Sequence, residues 1–348
     1  MRKVRVGLIG AGWVAVNRHL PALQKIPEVD LNLIWSRDPE KARDVAGRFG
    51  VRATVSRWQD VIHSSEVDAV IIATPPVLHL PATVSALEAG KHVLCQARMA
   101  RNLDEAQKML AAARSSGLVT ALYPPLPGLK GDRVMIRLLH EEEYVGTVRE
   151  VRITGMSVDT DPNSYRSYRW DPQVSGINTM TLGMWNEVAN RWLGPTVRVA
   201  ALAQSHRHGG SAGMGVPDSV AVAARLECGA TATYHFSNWA AGSPGSRIEI
   251  YGDRGALVYR LFAEEIRGLT GTGTEFKPIP VPSEERRVQD TDSQFIRAIL
   301  DGTPVAPSFQ EGLLYMQFLE AVALSLKTGR SVSLPPEPRM ETWDRFLT

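Results

Sequence analysis

Between a short apolar run at 4–9 (VRVGLI) and a helical pattern from Val14 to Gln24, the chain reads Gly10-Ala11-Gly12-Trp13-Val14-Ala15. A strand-to-helix turn of this spacing leaves few folds open. The first glycine permits a bend that side chains resist. The second removes a Cβ where a ligand must approach the backbone, and the small Ala15 lets the helix lie close on the strand. Such a helix presents its unpaired N–H groups and the positive end of its dipole to whatever sits at the turn, so the ligand is anionic. The pyrophosphate of a dinucleotide meets that description. Arg2 and Lys3 before an apolar stretch look superficially like a secretion leader. The stretch is short, lacks a small-residue cleavage pattern and breaks at Gly10, so a cytoplasmic chain is expected.

The alternation then repeats. A strand at 31–35 precedes a helix at 39–49, with Asp38 as its cap and Pro39 in its first turn. A short helical piece at 60–63 leads to a core strand at 69–73, a helix at 77–89 closed by Gly90, and a strand at 92–95. A helix at 103–116 ends at Gly117, and 118–122 forms one more strand. Apolar strands alternating with helices predict βαβ crossovers and a doubly wound parallel sheet. After residue 123 the rhythm changes at YPPLPG, whose prolines stop a parallel strand. One helix (132–141) precedes strand-like runs at 147–154, 197–203, 219–226, 230–237, 246–251 and 256–260, the third and fourth of them joined by a turn at Cys228-Gly229. Helices at 291–301 and 309–327 close the pattern. The expectation is an α/β domain over 1–123, and over 124–348 a second α/β domain built on a mostly antiparallel open sheet, with 204–217 as its most mobile loop.

Composition narrows the function classes. With 39 Lys plus Arg against 37 Asp plus Glu, the chain lacks the basic excess that nucleic acid or an anionic membrane demands. No apolar run approaches the roughly 18 residues of a membrane span. Cys95 and Cys228, far apart, make neither a disulfide framework nor a zinc ribbon and point to a reducing compartment. His206 and His208 form an HxH pair with no third ligand nearby, so no metal is expected. The end of the second strand selects the coenzyme. An acidic residue there holds the ribose hydroxyls of NAD, whereas an arginine suits a 2′-phosphate. The chain offers Ser36 and Arg37. Asp38 is spent on capping, so NADP is favoured and NAD left open.

Beyond the glycine turn, the strings DAVIIATPPVLH (68–79), ALEAGKHVLC (86–95), YRWDPQVSG (168–176), LGMWNEVANRWLG (182–194) and FIRAILDGTPVAP (295–307) carry a resemblance. From end to end the chain resembles the Gfo/Idh/MocA family of sugar and cyclitol oxidoreductases. The resemblance implies an N-terminal Rossmann domain, NAD(P) across its strand ends, and homodimers or homotetramers built on the C-terminal sheet. By the same resemblance, Gly10, Gly12, Trp13, Val14 and Ala15 surround the pyrophosphate and Ser36 and Arg37 the adenosine end. Thr74, Pro75, His79 and Gln96 border the nicotinamide. For His79 the alternative is a residue at a helix start that meets a backbone carbonyl.

The chain departs from its relatives where they move protons. Members of the family carry Glu-Lys-Pro after the strand that here ends at Cys95, and an Asp and a His four apart on the helix that here contains 181–192. This sequence reads Gln96-Ala97-Arg98 and Thr181…Trp185, so the Lys, Asp and His positions are Ala97, Thr181 and Trp185. General acid–base assistance is worth roughly 10²–10⁴-fold, which alanine and tryptophan do not supply. Arg98 keeps a cation but does not deprotonate. Weak catalytic candidates are Tyr168, Glu187 and His235. Against them stand aromatic packing, an ion pair of Glu187 with Arg191, and a structural or interface role for His235. Arg98, Arg169, Asn178, Thr181 and Trp185 are the expected substrate pocket. Tyr165 is a further candidate, and Lys130 and Asp132 are either pocket-edge or solvated loop charges. The reading is an NAD(P)-dependent oxidoreductase acting on a sugar, cyclitol or polyol-like substrate with an altered proton relay. The alternatives are a cofactor-assisted lyase or glycoside-cleaving enzyme of the same family, or a non-catalytic NAD(P)-binding sensor.

Overall fold

The computed structural model describes residues 3–123, 129–158, 168–177, 181–206, 216–243, 245–271, 273–287 and 290–334. By its contacts the chain divides into two compact units. The first is Met1–Pro125 with Gln173–Gly176 and Asp290–Met316, and the second is Leu126–Pro172 with Ile177–Gln289 and Gln317–Thr348. The chain thus returns twice to its first unit after leaving the parallel sheet. Phe295 and Ile296 explain the later return, since they are buried in one apolar cluster with Val6, Leu8, Leu20 and Leu94.

The first unit holds a parallel sheet of β1 (Val4–Ile9), β2 (Val29–Trp35), β3 (Ala53–Thr54), β4 (Ala69–Ile72), β5 (His92–Gln96) and β6 (Thr120–Tyr123). Their spatial order is β3-β2-β1-β4-β5-β6, so the direction of winding reverses between β1 and β4. In open α/β sheets, ligands bind beyond the strand ends at such a reversal. The central strands are mostly apolar because both faces are covered; β4 is buried at every position, whereas the edge strand β3 is exposed. Local signals act as the sequence suggested. The Asp38 carboxylate accepts from the amides of Glu40 (3.0 Å) and Lys41 (3.2 Å), and Gly50 and Gly117 end their helices in the left-handed region.

The second unit is built on a nine-stranded mixed sheet. Its strands are β7 (Val148–Met156), β8 (Thr196–Gln204), β9 (Ser219–Leu226), β10 (Thr231–Ser237), β11 (Arg247–Gly252), β12 (Gly255–Arg260), β13 (Glu265–Thr270), β14 (Lys277–Ile279) and β15 (Val332–Ser333). The order is β14-β13-β12-β11-β7-β10-β9-β8-β15, antiparallel throughout except where β7 pairs with β10. The turn at Gly229 (φ +88) joins β9 to β10 as expected. Along β9 and β10, burial alternates strictly: Val220, Val222, Ala232, Tyr234 and Phe236 point into the unit, and Ala221, Ala223, Thr233 and His235 point out. The buried face packs on Leu182–Leu193 and on the second half of the helix Phe309–Thr328, with the Tyr234 and Phe318 rings 5.1 Å apart.

Candidate cofactor and substrate site

The glycine turn sits between β1 and a helix that begins at Trp13, whose middle Ala15–His19 is wound as a π turn. Gly10 has φ +112, and a Cβ on it would lie 2.4 Å from the carbonyl oxygen of Ala73 on the neighbouring strand connection. Only glycine closes that turn. Gly12 is different: a Cβ there would meet nothing nearer than the Ala73 oxygen at 3.8 Å, so its bare Cα borders open space. Ala15 is fully buried, as close helix–strand packing requires, and Trp13 is 65% exposed with the Arg18 guanidinium 5.7 Å from its ring centre.

Three further segments of the first unit reach the same end of the sheet. Beyond β2, the Ser36 hydroxyl accepts from the amide of Asp38 (3.3 Å), and Arg37 is exposed with no ion pair to any described residue. Beyond β4, the Thr74 hydroxyl is buried without a hydrogen-bond partner among the described residues. Pro75 lies half-buried before a short 3-10 turn, and His79 is buried at 1% exposure with both ring nitrogens against backbone carbonyls. Beyond β5, half-buried Gln96 ends the strand, and Arg98 donates from Nη2 to the Ser175 hydroxyl at 2.6 Å. Gly176 lies directly against this segment: with φ +75, a Cβ on it would fall 1.9 Å from the carbonyl oxygen of Arg101. Arg101 itself is paired with Glu105 and donates to the Gln173 carbonyl at 3.1 Å. Ser175 and Gly176 close the string YRWDPQVSG that carries the resemblance, but their contacts with the segment after β5 are not legible in the sequence. The left-handed glycine after YRWDPQVS was the visible signal.

This donor set suits a dinucleotide. A bare Cα beside a helix start admits a pyrophosphate, an orphaned buried hydroxyl at Thr74 lacks an acceptor or donor, and an unpaired arginine stands beyond the second strand.

In the second unit the candidates separate. Thr181 is exposed at the start of the helix Leu182–Leu193, and its side chain makes no capping bond. Trp185, expected to line the pocket, is 2% exposed and packs edge-on against Phe236 at 6.2 Å, because its position on the helix faces the sheet. Glu187 is buried and binds Arg191 at 2.9 Å, one helical turn on, so it is held as an ion-pair partner. Asp132 is neither a pocket edge nor a solvated charge. It is 2% exposed and accepts from Trp192 (2.7 Å) and Arg287 (2.5 Å), with Arg191 at 3.1 Å. Burial pushes its carboxyl up, but the two arginines outweigh that and hold it below the ordinary range. His235 points to the outer face of the sheet, opposite the buried Tyr234 and Phe236. Tyr168 is 38% exposed with the Arg169 guanidinium 5.2 Å from its ring centre. His206 meets Trp239 edge-on, ring centres 5.7 Å apart, whereas Tyr165, Asn178, His208 and residues 207–215 lie outside the described residues.

Two family models match the chain. Residues 4–123 match an oxidoreductase family with an NAD-binding Rossmann fold, and residues 134–258 match the GFO/IDH/MocA C-terminal domain. A dTDP-3,4-didehydro-2,6-dideoxy-alpha-D-glucose 3-reductase of Streptomyces violaceoruber is 30% identical over 256 residues, covering 71% of this chain and 72% of that protein. The chain belongs to the GFO/IDH/MocA oxidoreductase family. Levoglucosan dehydrogenase of Pseudarthrobacter phenanthrenivorans is another relative, 26% identical with 96% of this chain and 99% of that protein covered. A levoglucosan dehydrogenase structure in complex with NADH and levoglucosan superposes with a TM-score of 0.84 at 23% identity, covering 96% of this chain and all (100%) of that one, and shows the shared fold. Residues 4–123, which carry the parallel sheet, are an NAD(P)-binding Rossmann domain. Among the described residues no helix is long and apolar enough to cross a membrane.

Proposed function

We propose that this GFO/IDH/MocA member is an NAD(P)-dependent oxidoreductase that reduces an activated carbonyl of a sugar, cyclitol or related polyol. The carrying observation is the pair of glycines at the β1–β4 reversal, one closed by backbone and the other open. Gly10, Gly12 and Ala15 seat the pyrophosphate, with Trp13 and Val14 at the helix start. Ser36 and Arg37 take the adenosine end, and the unpaired Arg37 favours NADP. Thr74, Pro75, His79 and Gln96 border the nicotinamide, which supplies the hydride when bound.

The direction turns on the demand made of the proton relay. Oxidising an alcohol requires a base for the hydroxyl proton and reduction requires its conjugate acid at the same place, but an activated carbonyl is electrophilic enough to lean on that group less. Ala97 has no proton to move and Trp185 is spent on core packing against Phe236. Glu187 is committed to Arg191, and His235 faces away from the helix that carries Thr181. Arg98, braced on Ser175, grips an anionic or electron-rich oxygen but takes up no proton. Tyr168, Arg169, Asn178 and Thr181 complete the proposed substrate side, with the Tyr168 hydroxyl or water as donor. The reductase named among the relatives, which acts on a didehydro sugar, supports this direction. A second copy of the chain docks on the outer face of the C-terminal sheet. The free, distant Cys95 and Cys228 suit a reducing, cytoplasmic setting.

The test is direct. Titrate NADH and NADPH against the purified protein by fluorescence, then follow 340 nm absorbance and product mass across a panel of keto sugars and polyols. Expected are tighter NADPH binding, lost selectively in Arg37→Ala, and coenzyme consumption with ketones but not with alcohols. Product without net absorbance change would point instead to transient oxidation and elimination. Binding with no product at all would make the protein a sensor.

A further inference from the structure

His79 makes more contacts than its protons allow. Its Nε2 lies 2.8 Å from the carbonyl oxygen of Thr74, and its Nδ1 lies 2.8 Å from that of Arg98 and 3.2 Å from that of Met99. A carbonyl only accepts, so an N–H is needed on both sides of the ring. The neutral imidazole carries one N–H and the imidazolium two. Burial pushes the ring's protonation down, against the pull of the Thr74, Met99 and Arg98 carbonyls, and the Arg98 charge pushes it down further. The other ionisable neighbours are occupied. Arg101 is paired with Glu105, the Tyr315 hydroxyl accepts from the Met99 amide at 2.5 Å, and burial drives the Cys95 thiol upward. The neutral ring therefore satisfies one flanking segment at a time.

Both segments carry polar groups that the proposed site uses. Thr74 holds the orphaned hydroxyl beside Gly10, its Cγ2 3.1 Å from a Cβ built there, and Arg98 holds the guanidinium braced on Ser175. We propose that His79 is a positioning residue: its ring latches the loop after β4 to the loop after β5, and its tautomer decides which of the two is held. With the proton on Nε2 the Thr74 loop is fixed and the Arg98 carbonyl faces a lone pair; with the proton on Nδ1 the reverse holds. A second proton holds both. The assignment rests on the proposed function, in which those loops border the coenzyme.

The consequence is a split that a purely structural histidine does not produce. The folded ring resists protonation relative to the unfolded chain, so its contribution to stability is full above the ordinary histidine value and is lost as pH falls. Coenzyme affinity moves the other way: a doubly protonated ring fixes both loops and adds a cation near an anionic ligand, so the complex holds that proton more readily than the free protein does, and binding that takes up a proton strengthens as pH falls. Between about pH 8 and about pH 5.5, the wild-type dissociation constant for NADH should tighten by about tenfold while the melting temperature falls. NADH is the probe because its phosphates do not titrate in that range; NADPH serves if NADH does not bind, read as the difference from the variants. His79→Phe removes every donor, and His79→Gln restores N–H donors from one nitrogen. In the His79→Phe protein, affinity at neutral pH should drop about tenfold and the pH dependence should vanish. His79→Gln should recover most of the affinity and remain flat with pH. A wild-type profile that is flat, or a folded His79→Phe variant that binds as the wild type does, overturns the latch. If the wild type binds neither coenzyme, the proposed function is what fails, and amide exchange decides the latch alone. Faster exchange at 74–78 and 97–101 in His79→Phe sustains it, and unchanged exchange overturns it.

Discussion

Gly10 and Gly12 stand two positions apart and are needed for different reasons, which substitution separates. Alanine at 10 must adopt φ +112 with its Cβ 2.4 Å from the Ala73 oxygen, so Gly10→Ala should lower the melting temperature as well as abolish coenzyme binding. Alanine at 12 meets only that same oxygen, at 3.8 Å, and its backbone is not in the left-handed region. Gly12→Ala should therefore change stability by less than about 1 kcal/mol while weakening NADPH binding at least tenfold by filling the pyrophosphate's place. Thermal melts and fluorescence titrations of the two variants settle the distinction; a Gly12→Ala protein that binds normally removes the pyrophosphate from the turn. At this scale the sequence is most legible where backbone sterics admit one residue type. It is least legible where a side chain chooses between faces. Trp185 occupies the position where the family resemblance leads one to expect a catalytic histidine, yet an indole 2% exposed against Phe236 is explained by packing alone.

The helix Leu182–Leu193 shows what element-level patterning reveals and what it hides. Its limits follow from the apolar rows and from Gly194, and the Glu187–Arg191 spacing announces an ion pair. The sequence did not reveal that the pair is buried, nor that Asp132, 55 positions before Glu187, joins it with Arg287 and Trp192. Such a group depends on contacts between distant segments, and a proline run ahead of Asp132 reads as loop. The same blindness applies to His19 and Asp292, buried and 2.6 Å apart, which tie the coenzyme-turn helix to the helix Thr291–Asp301. Short strands failed for another reason: in β13, EIRGLT, only Ile266 and Gly268 are buried, too few for a period to stand out. The Asp132 cluster makes a firm prediction. Asp132→Asn leaves Arg191 and Arg287 with uncompensated buried charge and should cost about 3–5 kcal/mol in denaturant unfolding. Because the folded carboxyl titrates below its unfolded value, its stabilisation is complete above about pH 4 and is lost as pH falls further. The variant's acid unfolding should be correspondingly flatter there. Equal stability of the two proteins at neutral pH would show the cluster to be decorative.

At the scale of the whole molecule, the outer face of the C-terminal sheet is the feature that a lone chain explains least well. Toward one edge of that sheet, β8, β9 and β10 present Leu202, Ala221 and His235 in one row and Ala200, Ala223 and Thr233 in the next. Leu202 is 78% exposed. A solvated antiparallel sheet normally turns charged or larger polar side chains outward, since that face gains nothing from being apolar. Small residues across three strands make the surface flat, and flatness with a protruding leucine is what lets two sheets pack face to face. This also gives His235 a place: it stands beside Ala221 in the row that Leu202 begins, where an interface rather than a reacting centre would enclose it. We therefore expect the wild type to sediment as a dimer or tetramer at micromolar concentration. Leu202→Asp would bury unpaired charge in the contact while leaving the monomer's own core, on the opposite face, untouched. It should shift the protein to monomers with little change in melting of the individual chain. Because the coenzyme turn lies in the other unit, the monomeric variant should still bind NADPH; loss of binding together with assembly would mean that a site attributed here to one chain is completed by two.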